Sequence, residues 1–451
     1  MSRPSVQTLA GWGRVPAVPA QVTTPTSWAE VSAATGKPWC VRGLGRSYGD
    51  SAVPPLDGGT VMVGTGLDRF LAFDPETGIL TAEAGVSLEE IIRHYQPQGY
   101  FLPTTPGTKF VTLGGAVAAD VHGKNHHVDG SFSAHVTGFT ICLPDGSIKA
   151  VTPATDPDLF WATVGGMGLT GFLLTVSLRM RRVPSAWYRV RYERASDLDR
   201  ALLRLAEEDR HHRYSVAWID CLSQGSSLGR SVLMLGKDAE PHELTKSYRN
   251  RPMEIPAKGR KSVPLDFPAW ALGAWSVTAF NQAFYWKHAD CTKIVDYDTF
   301  FYPLDAILHW NRIYGRRGFI QFQAYFDDDT AAVGLRAILE AISQAKLASF
   351  LAVLKRCGAA GPGWLSYLAP GYTLALDIPY AADRIGPLHN RLMAILLKYH
   401  GRIYFAKDTL ATAENIKEMY PNLSKFRDFQ AKLDPNGRCR TRQAVRLGLV
   451  H

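Results

Sequence analysis

None of the six cysteines (Cys40, Cys142, Cys221, Cys291, Cys357, Cys439) stands at C-x-x-C or any other paired spacing, which argues against a zinc site and a disulfide framework and leaves reduced, mostly structural thiols. No stretch approaches the roughly 18 uninterrupted apolar residues of a membrane span. Residues 1–20, with Arg3, Trp12, Arg14 and three prolines, lack the continuous apolar run of a signal peptide. The expectation is a protein that is soluble or attached to a membrane only at its surface. Internal repeats and low-complexity tracts are absent as well.

At 451 residues the chain is too long for one comfortable core, and two or three domains are expected. Its 46% hydrophobic and 20% charged content is that of an ordinary folded protein. A formal charge of +9 suits an anionic partner, whether nucleic acid, acidic lipid headgroups or a phosphorylated substrate, and charge alone does not choose among them.

What the first third does have is clustered glycine. Six residues separate Gly107 from the pair Gly114-Gly115, and Gly123 follows eight positions later, so backbone can approach a ligand at several points along one loop, Pro106–His127. Within that stretch neither G-x-G-x-x-G nor G-x-x-x-x-G-K-[ST] occurs, so a phosphate-bearing ligand would be held in some other way than by a Rossmann turn or a P-loop. A second cluster, Gly43-Leu44-Gly45-Arg46-Ser47-Tyr48-Gly49-Asp50, directly follows the β-rich run Trp39–Arg42. It reads either as an anion nest or as an ordinary glycine-rich hairpin. A third lies at Gly165–Gly171, ahead of the strand-like run Phe172–Met180.

Short strands are expected at 60–63, 70–73, 79–82, 136–143 and 147–152, and helices at 27–35 and 87–95. Past about Val183 the glycines thin out. Helices are expected at 198–208, 330–345, 385–399 and 412–420, and strands at 215–222, 319–325, 349–356 and 372–378, with 402–408 as a strand end carrying Lys407. Residues 249–288 combine Lys258, Arg260 and Lys261 with Phe267, Trp270, Trp275, Phe280, Phe284, Tyr285 and Trp286. That composition fits an ill-packed surface segment, or a mobile lid or interfacial contact with an anionic bilayer. Period-two alternation puts Gln321 and Gln323 on one strand face, which is either solvated or part of a pocket.

The turn G-x-G-R-S-Y-G-D, the loop P-G-T…T-x-G-G and the run D-L-F-W-A-T-V-G-G-x-G-x-x-G resemble the FAD-binding domain of the vanillyl-alcohol-oxidase type. Within that superfamily, R-G-L-G-R-S-Y-G-D together with H-G-K-N-H-H is similar to the decaprenylphosphoryl-β-D-ribose 2′-oxidase family, the flavoprotein half of a two-enzyme epimerase. The similarity runs over nearly the full length, more weakly in the second half. It implies a two-domain α+β fold: residues 1–183 as the N-terminal part of the FAD domain, 184–401 as an antiparallel-sheet substrate domain, and 402–451 as a segment returning to the FAD domain.

The resemblance carries FAD contacts onto Val41, Arg42, Gly43, Leu44, Gly45, Arg46, Ser47, Tyr48, Gly49, Asp50, Ser51, Gly107, Thr112, Leu113, Gly114, Gly115, His122, Gly123, Lys124, Asn125, Leu173 and Tyr404. It carries substrate roles onto Trp218, Phe301, Gln321, Gln323, Lys355, Ala375 and Lys407. Alcohol oxidation by a flavin needs a group to take the hydroxyl proton and positive or donor groups for developing charge, and Lys407, Tyr48 and Gln321 are the expected catalytic residues. His122, His126 and His127 are not completed by a carboxylate or cysteine at ligand spacing, so no metal is expected. Arg46 stands where members with covalent FAD place His, which implies non-covalent FAD. Ala375 and Phe301 replace the Cys and Tyr of mycobacterial members; the first change removes a thiol beside the flavin, and the second alters substrate fit.

The implied reaction is oxidation of the 2′-hydroxyl of polyprenylphosphoryl-β-D-ribose to the 2′-keto sugar. The implied partners are an NAD(P)H-dependent short-chain reductase, a quinone-like or other electron acceptor and the cytoplasmic membrane surface, on a side left open; nucleic acid is not among them. A soluble alditol or aldonolactone oxidase, and a flavin- or lipid-binding module without turnover, remain open alternatives. If Pro106–His127 forms a wall of the FAD cleft, Gly115→Val costs the protein its bound flavin; a variant that folds and stays fully yellow would place the site elsewhere.

Overall fold

Strands 319–327 and 371–379 alternate two sets of side chains, and that alternation decides where the large sheet puts its chemistry. In the computed structural model, which describes residues 5–268, 272–288, 290–347 and 351–450, Ile320, Phe322, Ala324 and Phe326 join a core with Leu374, Leu376 and Ile378 on one face. Three helices, Leu198–Glu208, Ala331–Ala345 and Ala382–Lys398, cover that face. Side chains at the intervening positions therefore point to the opposite face, towards the N-terminal half of the chain.

The sheet has eight antiparallel strands in the order Cys291–Asp296, Trp187–Ala195, Ser231–Asp238, Tyr214–Ile219, Ala352–Cys357, Gly371–Pro379, Phe319–Asp327 and Arg402–Ile403. Its register aligns Trp218, Val353, Ala375 and Gln323 in one row across four strands. Lys355 pairs with Thr373 in the next row, and Gln321 with Asp377 on the other side of it.

The N-terminal half contributes a four-stranded sheet, Ser5–Ala10, Ala17–Thr23, Gly59–Val63 and Trp39–Arg42, and a five-stranded antiparallel sheet, Phe70–Asp74, Ile79–Glu83, Phe172–Arg179, Val136–Cys142 and Ile148–Val151. The result is the expected α+β arrangement with an antiparallel sheet in the second half. The C-terminal segment closes back on the start of the chain. Trp39 N–H donates to Arg438 at 2.7 Å, and Arg446 bridges the buried carboxylates of Asp50 and Asp408 at 2.6 and 2.9 Å.

Four expectations need correction. Pro106–His127 is not one loop: Leu113–Ala118 is helical, opened by the Thr112 hydroxyl accepting from Gly115 N–H at 3.1 Å. Residues 402–408 pair only over Arg402–Ile403, after which Tyr404 accepts from Lys407 and Asp408 N–H in a tight turn. The helix expected at 412–420 covers only Ala413–Ile416, as Pro421 disfavours helical backbone at Tyr420. A helix not anticipated follows at Leu423–Leu433. The strand expected at 349–356 is observed over Ala352–Cys357; Ser349 and Phe350, and Trp270 of the basic aromatic segment, lie outside the described residues. No described helix is long and apolar enough to cross a membrane.

Candidate active site

The turn after strand Trp39–Arg42 forms one end of a cavity of about 990 Å³ between the two halves of the chain. Gly45 adopts a φ of +65°, a conformation open to glycine at little cost. Among the described residues, the backbone N–H groups of Leu44, Gly45, Arg46 and Ser47 find no hydrogen-bond partner. Successive N–H groups left free in a concave turn attract an anion. Arg46 stacks over Trp12 at 4.1 Å, and its Nε is likewise buried without a partner.

Tyr48, which follows Ser47, donates its backbone N–H to Ala406 at 2.9 Å, which brings the C-terminal turn onto the first glycine cluster. Lys407 Nζ consequently lies 3.8 Å from the Tyr48 ring centre. The large sheet supplies the facing wall, with Trp218, Gln321, Gln323, Val353, Lys355, Thr373 and Ala375 on its cavity side. Gln321 donates to Asp377 Oδ1 at 2.5 Å, and Tyr314 donates to Oδ2 at 3.2 Å. Gln323 meets His122 Nε2 at 3.0 Å, while His122 Nδ1 is buried without a partner.

Charge in this wall is unevenly balanced. Burial pushes Lys407 down to about 7, against the opposing pull of Asp377 and with the help of Lys355. Burial likewise lowers Lys355 to about 8 and Lys124 to about 7. Asp377 rises to about 7, as burial outweighs its bond from Gln321 and the charge of Lys407. The His122 imidazole is held well below its ordinary value by burial and then by Lys355, so it is neutral at pH 7. The Tyr48 phenol is pushed well above 10, chiefly by burial and then by Asp377, and keeps its proton.

Most residues singled out from the sequence line this one cavity: Val41–Tyr48, Ser51, Gly107, Thr112, Gly114, Gly115, His122, Lys124, Leu173, Tyr404, Trp218, Phe301, Gln321, Gln323, Lys355, Ala375 and Lys407. Five do not line it. Gly49 packs on the Asp408 backbone, and Asp50 pairs with Arg446. Leu113 is in the core, Gly123 lies against the Thr105 backbone, and Asn125 donates to Pro103 and Asp129. These five shape the loops from behind.

Asp377 and Trp12 are among the residues of the site that escaped the sequence reading. Asp377 carried a usable signal, an acid inside the otherwise apolar strand T-L-A-L-D-I, which a buried strand tolerates only with partners. Trp12 gave none. The segment expected as surface or lid contains a helix, Ala274–Lys287, whose Val277, Phe280 and Phe284 line the cavity while Trp275 and Trp286 are 71% and 65% exposed.

FAD fits these residues on three observations: the four free N–H groups of the turn, the partnerless His122 Nδ1, and open space around Gly107, where an added Cβ would meet nothing within 4 Å. Comparison with known proteins agrees. Residues 19–152 match the FAD binding domain model, and residues 327–447 match that of D-arabinono-1,4-lactone oxidase. The chain is 34% identical to a decaprenylphosphoryl-beta-D-ribose oxidase of Mycolicibacterium smegmatis, over 98% of this chain and 97% of the relative. It is 24% identical to L-gulonolactone oxidase of Mus musculus over 88% and 87% of the two chains. A shorter match, 27% identical over 39% of this chain and 33% of the relative, is to Delta(24)-sterol reductase of Homo sapiens. The chain is thus an FAD-dependent oxidoreductase with a two-domain α+β fold of the vanillyl-alcohol-oxidase type, and it belongs to the decaprenylphosphoryl-beta-D-ribose oxidase family.

Proposed function

We propose that the protein uses non-covalently held FAD to oxidise the 2′-hydroxyl of a polyprenylphosphoryl-β-D-ribose to the 2′-keto sugar, the first half of an epimerisation to the arabinose donor. The observation that carries this reading is the Lys407 amine, set near its neutral form over the Tyr48 ring, under the pull of Asp377, and lining the same cavity as the glycine loops. FAD, when bound, supplies the acceptor for hydride from the carbinol carbon. Lys407 takes the hydroxyl proton, for which a value close to the working pH is the most effective. Once protonated it is balanced by Asp377. Tyr48, kept as a neutral phenol, donates to a sugar oxygen. Gln321, its amide N–H anchored on Asp377, keeps its carbonyl oxygen for a sugar hydroxyl. Arg46 offers no imidazole for a covalent link, in keeping with dissociable flavin.

The keto sugar then passes to a separate NAD(P)H-dependent short-chain reductase, and the reducing equivalents to a quinone-like or other acceptor. Attachment at a membrane surface belongs to the same proposal. It is supported by exposed Trp275 and Trp286 on the helix over the cavity, with Lys287 at its end, since aromatic and basic side chains together suit an anionic bilayer boundary. A second reading, oxidation of free alditols or aldonolactones, draws on the D-arabinono-1,4-lactone oxidase match of residues 327–447.

Asp377 raises the Lys407 value, so removing its charge lowers it further. A base acts in its neutral form, and the rate of flavin reduction therefore climbs as pH rises through the Lys407 value. In Asp377→Asn that rising limb moves to lower pH, by about one unit; an unmoved limb would separate Asp377 from the base. Anaerobic bleaching of the bound flavin by polyprenylphosphoryl ribose and not by free alditols is the expected result for the function itself. Bleaching only by free sugars would favour the second reading, and no bleaching by any polyol would leave a binding module.

A further inference from the structure

The proposed substrate carries its phosphodiester on C1′, next to the carbon that is oxidised, so a negative charge has to lie close to Lys407 whenever the sugar is in place. The cavity wall has a place for it. Lys355 projects from strand Ala352–Cys357 on the cavity face of the large sheet, one row from Gln323 and Ala375. Its ammonium has no hydrogen-bond or ion-pair partner among the described residues, burial and the Cys357 thiol being what act on it. Lys124 approaches from the N-terminal half, where its backbone carbonyl accepts from Ser215 N–H at 2.8 Å. Its Nζ donates to the Phe300 carbonyl and lies 4.3 Å from the Phe300 ring centre. Neither lysine meets a carboxylate within ion-pair distance among the described residues.

Two cations drawn partly out of water without an acid are costly to the free protein, and an anion between them relieves that cost. The FAD pyrophosphate has its own receptor in the free N–H groups of Leu44–Ser47, on the opposite half of the chain. The lysine pair is set instead among substrate-sheet residues. Beyond it the cavity is lined by Tyr192, Val216, Trp218, Met234, Phe280 and Phe284, an apolar exit under helix Ala274–Lys287.

We propose that Lys355 and Lys124 form the subsite for the substrate's phosphodiester, placed between the reacting sugar at Lys407 and an isoprenyl chain leaving under the helix; this rests on the functional reading above. A lone phosphodiester bears one charge, which two lysines share, and the nearby aromatic side chains suit the first isoprene units and exclude water from the pair.

The test compares reduction of the bound flavin in the holoprotein by farnesylphosphoryl-β-D-ribose and by farnesyl β-D-ribofuranoside, which lacks the phosphate. Wild type prefers the phosphodiester. In Lys355→Gln and in Lys124→Gln that preference falls by about tenfold to a hundredfold, the range for a hydrogen bond to a charged group. Lys355→Arg, which keeps the charge, retains more of it. Variants that keep the full wild-type preference overturn the subsite while leaving the oxidase reading intact, and a wild type reduced by neither compound overturns both. Loss of FAD from either Gln variant would assign that lysine to the cofactor and also overturn the subsite.

Discussion

Asp377, buried in the large sheet, opposes Lys407, while Lys355, Lys124 and the neutral His122 line the same cavity, which two halves of the chain build together, without an acid within ion-pair distance among the described residues. That imbalance is the constraint on which the site depends. A lysine amine beside one acid, and taken from water, no longer holds its proton firmly, and Lys407 falls to about 7 while Asp377 rises to about 7. A pair poised in this way accepts and returns a proton near neutral pH. The residual positive charge of Lys355 and Lys124 makes the cavity receptive to anions, and both FAD and a phosphodiester substrate are anionic.

The architecture serves this arrangement through alternation. Every second residue of the central strands packs on helices 198–208, 331–345 and 382–398, so the remaining positions are committed to the other face. Register then aligns Trp218, Val353, Ala375 and Gln323 in a row from segments far apart in sequence. The glycine turns provide the facing surface because bare N–H groups can be left free only where no side chain fills the space. The hydrogen bond from Tyr48 N–H to Ala406 joins the two surfaces and holds Lys407 over the Tyr48 ring.

Much of this was legible in the chain because local rules govern it. The glycine spacing marked the turns, and period-two alternation placed Gln321 and Gln323 on one face. Whether that face was solvated or part of a pocket was not local: it depended on the N-terminal half covering it. Lys407 became meaningful through family resemblance, since nothing within the run Arg402–Asp408 distinguishes it from a surface lysine. Asp377 was passed over although an acid in an apolar strand is a signal. Trp12 could not be read at all, as its role comes from stacking on Arg46, 34 positions away. Helix Ala274–Lys287 resisted reading because apolar residues occur all round it, one side lining the cavity and the other exposed.

The central claim is that the bare backbone of the glycine turns, with the partnerless His122 Nδ1, holds a dissociable FAD in one cavity. The most direct measurement is the visible absorbance of the purified protein before and after acid precipitation. The account predicts a flavin spectrum in the native protein and a yellow supernatant over a colourless pellet. A native protein without flavin absorbance that takes up none when mixed with FAD, or a pellet that stays yellow, would contradict it.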